Sequence, residues 1–292
     1  MANLKEVKNR IGSVTSTQQI TKAMKMVAAA KLRRAQDAIM QMRPYAQKLT
    51  SIINNVSASV DTSSVSTPYA TQREIKNVLI VVASSDRGLC GGFNSSAFKH
   101  AKAVIAEKYM GQEVTIMPIG KKSLEHFKKR GFKTVDNFSH LFGKLTFDGA
   151  REAAEFAMNG FVKGDYDQVE IVYNEFKNVA TQIVRNEHFL PIKQDESSEE
   201  VSSADTDYLI EPSEEEIFTQ LIPKSLKIQF YKTLLESGAS EHGARMTAMD
   251  KATENADDLL KELKLTYNRT RQAAITKEIL EIVGGAEALA QG

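Results

Sequence analysis

Hydrophobic residues recur along the first sixty positions on a heptad. With Leu4 as position a, the a positions read Leu4, Ile11, Gln18, Lys25, Leu32, Ile39, Ala46 and Ile53. The d positions read Val7, Val14, Thr21, Ala28, Ala35, Met42, Leu49 and Val56. Thirteen of these sixteen are apolar, the pattern of a helix that seats a seam against another helix. The three polar slots, Gln18, Thr21 and Lys25, are adjacent, and Ile20, Met24 and Val27 form a substitute stripe one position out of phase. The spacing therefore predicts a seam that rotates locally around the helix. Pro44 is expected to bend or interrupt it.

The other end of the chain carries a second long pattern, from about residue 213 to 289. Pro212 and the run Glu214-Glu215-Glu216 suit a helix start, where acids meet the positive end of the dipole. Met249, Ala256, Leu260, Leu263 and Tyr267 form one stripe, and Ile275, Ile279, Ile282, Ala286 and Leu289 continue it. Pro223 and the Gly238/Gly243 pair are candidate kinks. A helix that long needs a partner along its length. The N-terminal helix supplies it, so the two chain ends are expected to wind into an antiparallel coiled coil.

Between them the pattern changes. Residues 61–211 hold ten of the 16 glycines, whereas 244–283 hold neither Gly nor Pro. Short apolar runs at Asn77–Ala83, Glu113–Ile119 and Gln168–Asn174 read as strands. Helical patterns at Ser95–Met110, Lys121–Arg130 and Asp148–Val162 alternate with them. That order predicts an α/β domain with a mostly parallel, Rossmann-like sheet inserted between the coiled-coil helices. Ala180–Ile192 is expected to return antiparallel at an edge. The divisions are 1–58 (N-terminal helix), 75–193 (α/β domain), 194–211 (acidic loop and foot segment) and 212–290 (C-terminal helix). Residues 195–216 contain ten acids and no Lys or Arg, and the first part reads as a mobile loop.

Composition narrows the class. Lys+Arg is 38 against Asp+Glu 37, so overall charge makes no case for nucleic acid. One cysteine excludes an internal disulfide framework and a CxxC metal site. The longest apolar run, Val78–Ala83, is far short of the ~20 residues a membrane span needs. The opening MANLKEVKNR has no apolar h-region of a secretory signal. A soluble intracellular chain is expected.

Candidate chemistry is sparse. Residues 84–96, SSDRGLCGGFNSS, leave a strand and enter a helix, the place where an α/β domain holds a phosphate. The pattern is neither GxGxxG nor GxxxxGK[ST]. The alternative is a tight, closely packed turn with Asn94 as helix N-cap. Cys90 has no histidine nearby in sequence and reads as a small packed residue. The five histidines lack metal-ligand spacing. Residues 1–58 hold ten Lys/Arg and two acids. That basic face is either solvated or a docking surface for an acidic partner. The apolar end, ILEIVGGAEALAQG, points to contact with another protein, with fraying as the alternative.

Four blocks carry a resemblance. IGSVTSTQQITKAMKMVAAAKLRRAQ (11–36), SSDRGLCGGFN (84–94), ARMTAMDKATENADDL (244–259) and YNRTRQAAITKEILEIVGGAEAL (267–289) resemble the gamma subunits of F-type ATP synthases, bacterial type. The resemblance implies a central rotor shaft with no catalytic, metal or cofactor site of its own. It implies partners: a ring of three alpha and three beta subunits, the epsilon subunit and a membrane-embedded c ring, with no nucleic acid. It implies a peripheral place on the cytoplasmic face of a bacterial inner membrane, ion flow turning ring and shaft, and rotation driving ATP synthesis. By the same resemblance, Met24, Lys25 and Met26 face an acidic loop of the catalytic subunits, and Lys31, Arg33 and Arg34 extend that face. Arg271 and Gln272 meet a catch loop, Ile279 to Leu289 form the tip held in an apolar sleeve, and Tyr208 and Glu211 lie near the c ring. Two rivals remain: a nucleotide-binding α/β enzyme with coiled-coil arms, and a passive coiled-coil scaffold.

Overall fold

The computed structural model describes residues 4–59, 68–192 and 214–290. Helix α1 runs Leu4–Ser59 and helix α5 runs Glu214–Ala290. Between them lie strand β1 (Asn77–Ala83), α2 (Phe93–Lys108), β2 (Glu113–Ile119), α3 (Lys121–Lys128), β3 (Lys133–Thr134), two 3-10 turns, α4 (Phe147–Lys163), β4 (Gln168–Phe176) and β5 (Gln182–Leu190). The chain forms two compact units: Met1–Ala28 with Met246–Gly292, and Ala29–Arg245.

In the larger unit the sheet order is β3-β2-β1-β4-β5. The first four strands are parallel, and β5 pairs antiparallel with β4, as its position after a short turn predicts. β1 is buried along nearly its whole length because helices cover both sides of it. Leu79, Val81, Ile171 and Tyr173 face α4, whose Ala150, Ala153, Ala154, Ala157 and Phe161 allow close approach. Ile222, Leu226, Phe230 and Leu234 of α5 close the same core. Val78, Ile80, Val82 and Ile116 on the opposite face pack against Phe98, Ala101 and Val104 of α2 and Phe127 of α3. Thr146 caps α4, its side chain accepting from the Gly149 N–H, and Gly164 ends it in the left-handed region. In this unit Leu32 and Ile39 of α1 meet Leu235 and Ala239 of α5.

The smaller unit is an antiparallel helix pair. Val7, Thr21 and Ala28 on α1 are buried, as are Met249, Ala256, Leu260 and Leu263 on α5. Hydrogen-bonded pairs run in opposite directions along the two helices: Gln18 with Asp257, Thr21 with Thr253, Lys25 with Asp250.

Three expectations about the helices are corrected. The helix passes through Pro44 without interruption. Pro44 and Met40, whose carbonyl loses its helical donor there, are both exposed, while Ile39 and Leu49 stay buried on either side. α5 runs as one helix through Pro223, Gly238 and Gly243. The seam does not rotate at Gln18–Lys25. Ile20 and Val27 are 59% and 57% exposed, and Thr21 is buried in the original a/d phase. The polar slots stay on the seam because α5 presents polar partners to them. The apolar stripe beyond Tyr267 also takes no place in a seam: Ile275, Ile279, Ile282 and Leu289 are exposed. The near-constant sum of residue numbers across the polar pairs sets Leu4 opposite about residue 271, so α5 continues past the described start of α1.

Candidate functional site

The glycine turn is the first place to look for chemistry. In a doubly wound sheet a ligand sits outside the carboxyl ends of the strands, where the strand order reverses. Here that point lies between β1 and β4, and the turn 84–92 follows β1. Protein fills the place. Cys90 and Phe93 are buried together with Ala244 of α5, and Phe142 packs on them. Asn174 at the end of β4 donates to the Phe93 carbonyl at 3.3 Å.

The polar groups of the turn are consumed internally. Asn94 Oδ1 accepts from the Ser85 N–H at 3.0 Å, and its Nδ2 donates to Ser85 Oγ at 2.7 Å and to Cys90 Sγ at 3.3 Å. Asn94 is therefore not the N-cap of α2. Gly92 holds that position without a side-chain cap, and Asn94 turns back to brace the loop. Ser85 Oγ donates to the Arg87 carbonyl at 2.7 Å. Arg245 of α5 donates to the carbonyls of Gly88 at 2.5 Å and Arg87 at 3.1 Å, and pairs with Glu241. A guanidinium that binds loop carbonyls makes a clasp between helix and loop, not a phosphate cradle. The turn is a packing device, and Cys90 is one of its buried parts.

Three of the five histidines, His126, His188 and His242, are packed into the fold. His126 stacks on Phe98 at 4.2 Å, and burial, aided by Arg130 and Lys102, pushes its pKa down. Burial also lowers His242, with Lys31 and Arg245 adding to the effect against Glu241. His188 Nε2 bonds the Pro191 carbonyl at 2.6 Å.

A buried carboxylate braces the sheet edge. Glu170 of β4 is 2% exposed. Its oxygens accept from Tyr109 Oη at 2.5 Å, Asn186 Nδ2 at 2.6 Å and Gln168 Nε2 at 3.0 Å, with Lys108 Nζ at 3.7 Å. Burial alone raises its pKa. The groups around it (His188, Tyr109 and Asn186, then the Lys108 charge) outweigh that and hold it at about 2. Tyr109 is pushed up by burial and by Glu170. The cluster ties α2, β4 and β5 together.

The outward faces of the helices remain. On the smaller unit Met26 is 61% exposed, and Met24 is half-buried beside the seam. Lys25 is half-buried and makes a 2.5 Å ion pair with Asp250. Arg271, Gln272, Ile279 and Leu289 are exposed on α5. On the larger unit Lys31, Arg33 and Arg34 are exposed on α1. Tyr208 and Glu211 lie outside the described residues. Sequence reasoning missed the Arg245 clasp and the Glu170 cluster, because no local pattern marks a bond between residues 157 or 61 positions apart.

Comparison with known proteins adds to this geometry. A family model described as ATP synthase matches residues 3–289. The ATP synthase gamma chain of Cytophaga hutchinsonii is 62% identical over 294 residues, covering 99% of each chain. That of Flavobacterium psychrophilum is 56% identical over 289 residues, again covering 99% of each. A chain from the central stalk and c ring of the Tetrahymena thermophila mitochondrial ATP synthase aligns with a TM-score of 0.55 at 25% identity, covering 80% of this chain and 99% of that one. A chain from the Euglena gracilis mitochondrial ATP synthase in rotational state 3 aligns with a TM-score of 0.65 at 20% identity, covering 98% of this chain and 94% of that one, a likeness of fold.

Proposed function

The chain belongs to the family of ATP synthase gamma chains, and on that premise we propose how its residues serve a central rotor shaft. It is a non-catalytic subunit that couples ion flow through the membrane c ring to ATP synthesis or hydrolysis on the surrounding alpha and beta subunits. The observation that carries the mechanism is the inequality of the faces on the helix pair. One flank of α1 shows Ile20 and Val27, and the other shows Met26 and Lys22.

A shaft with unequal faces meets three identical catalytic subunits differently. Each is biased toward a different conformation, and only differential contact shifts such an equilibrium. Rotation permutes the three. The coupling is reciprocal, so ATP binding turns the shaft and turning the shaft releases ATP. Each charge crossing the membrane contributes ~2.3 kcal/mol per 100 mV, so several crossings must be summed for each ATP. The shaft must therefore transmit torque with little slip. The clasp of Arg245 on the turn and the packing of α5 into the sheet core fasten helix to domain within the larger unit.

The contact residues are Met24, Lys25 and Met26 with the basic Lys31, Arg33 and Arg34 toward acidic loops of the catalytic subunits, Arg271 and Gln272 toward a catch loop, and the exposed Ile279–Leu289 end in an apolar sleeve. Tyr208 and Glu211 serve the foot. The working divisions are helices 1–58 and 212–290, the α/β domain 75–193 and the acidic foot segment 194–211. Among the described residues no helix is long and apolar enough to cross a membrane. The chain is accordingly assigned to the cytoplasmic face of a bacterial inner membrane, held there by its partners.

The contact assignment is tested by charge reversal. Arg33→Glu with Arg34→Glu places two acids opposite an acidic loop, where like charges cost several kcal/mol on the order of those at other mismatched interfaces. ATP-driven proton pumping in membranes carrying both changes is expected to fall several-fold while the complex still assembles. Unchanged pumping removes these arginines from the coupling surface.

A further inference from the structure

Within the larger unit, α5 lies against the β4–β5 pair with a carboxylate in its most enclosed stretch. Thr233, Leu234, Leu235, Ser237, Ala239 and Ser240 are buried around Glu236, which is itself half-buried. The sheet adds two more acids. Pairing sets Ile171 beside Glu187, Tyr173 beside Arg185 and Glu175 beside Ile183. Alternate residues of a strand share a face, so Glu175 and Glu187 flank the buried Tyr173. On that face Ile171 and Tyr173 meet Phe230 and Leu234 of α5. Burial first, then Glu187, Glu236 and Glu175, push the pKa of the Tyr173 hydroxyl up, so three carboxylates converge on one ring.

The nearby donors are committed to the two sheet acids. Arg185 Nε donates to Glu175 at 2.7 Å, and Gln229 Nε2 of α5 donates to Glu187 Oε1 at 2.5 Å. The cations acting on Glu236 are Lys232, four residues earlier on α5, and Arg43 of α1, both exposed. Water screens exposed cations, so they offset little of the cost of crowding like charges. Burial first, with Glu175 and Glu187 adding to it, outweighs Lys232 and Arg43 and pushes the Glu236 pKa up from its ordinary 4.5.

We propose that Glu236 is a proton-operated brace between α5 and the β4–β5 hairpin. Protonated, it seats α5 on the hairpin. Ionised, it stands against Glu175 and Glu187 and loosens that seat. Acidification of the surrounding solution therefore tightens the hold of α5 on the α/β domain. The folded chain takes up this proton before the unfolded chain as pH falls. The stabilisation is fully present below about pH 4.5 and is lost as pH rises through the raised folded value. That this hold carries torque rests on the rotor reading, whereas the brace does not.

Glu236→Gln keeps the shape of the protonated side chain and cannot ionise. In denaturant melts of the full-length chain at pH 8, its midpoint is expected to lie above that of wild type. The two midpoints are expected to converge as pH falls to 4.5. Taking the difference cancels His126, His242 and Glu170, which titrate in both chains. Amide exchange, compared between the two chains at one pH, locates the effect. Over residues 182–187 and 229–240 it is expected to be slower in the variant at pH 8 and equal at pH 4.5. Glu187→Gln keeps an acceptor for Gln229 and removes one repelling charge, so it is expected to raise the midpoint at pH 8 as well. A gap that is equal at both pH values, a wild type that is the more stable at pH 8, or exchange that differs only outside these segments overturns the brace and leaves the rotor reading standing.

Discussion

Replacing Gly120 with alanine is expected to cost at least about 4 kcal/mol, the range reserved for a specific steric mechanism. Gly120 sits at φ +109°, a conformation L side chains rarely adopt. An added Cβ would meet the Ser84 carbonyl oxygen at 2.1 Å. The contact cannot relax, because its surroundings are pinned. Ser84 N–H bonds Ile119 O at 2.8 Å, Ser123 N–H bonds Ser84 Oγ at 2.8 Å, and Gly120 N–H bonds Ser139 O at 3.1 Å. Thermal unfolding of the isolated chain is expected to drop by roughly 10 °C, at about 2–4 °C per kcal/mol for a domain of this size. Gly88→Ala is the control. Nothing lies within 4 Å of its would-be Cβ, and its φ is ordinary, so it is expected to fall within about 1 kcal/mol of wild type.

Glu170→Ala is the second large effect. It leaves the Tyr109 hydroxyl and the Asn186 amide without their acceptor inside the sheet edge, while Gln168 keeps its bond to Tyr109 Oη. Breaking a buried charged cluster from one side costs about 3 kcal/mol or more. The pH dependence has a definite sign. The folded pKa is held near 2 against an ordinary 4.5, so the unfolded chain takes up the proton first as pH falls. The carboxylate's contribution, about 3 kcal/mol, is complete above about pH 4.5 and is lost as pH falls toward 2. The gap between wild type and Glu170→Ala in denaturant melts is therefore expected to narrow from pH 6 to pH 2. A gap that stays constant over that range removes the charge from the account and leaves only packing.

The secondary structure was legible wherever a period repeats. Asn77–Ala83 and Glu113–Ile119 could be read to the residue, since short runs bounded by polar turns leave little choice. β3 was not legible, because two residues carry no period. The uninterrupted passage of α1 through Pro44 was not legible either. A breaker's cost is local, but the packing of Ile39 and Leu49 that outweighs it is tertiary. Gly243 lies where Phe176 and the Val179 backbone pass close to α5, a contact the helical pattern does not reveal.

The candidate surfaces were legible as sequence blocks, not as geometry. Lys25 and Thr21 look like faults in a heptad until Asp250 and Thr253, more than 220 residues away, are placed opposite them. A count of hydrophobic positions cannot weigh a polar group against a partner it does not see, so it moves the seam instead. The glycine turn shows the reverse. Its position after a strand suggested a ligand loop, whereas the filling by Phe93, Cys90 and Ala244 and the clasp from Arg245 show a joint.

The central claim is rotation. A bead attached through a cysteine at the exposed Met110 of this chain, in a surface-fixed complex with the alpha and beta subunits, reads it. With ATP supplied, the account predicts that the bead turns in one direction, pausing at three positions per turn, and stops when ATP is withdrawn. A complex that hydrolyses ATP at full rate while the bead stays still would contradict it and return the chain to the role of a passive scaffold.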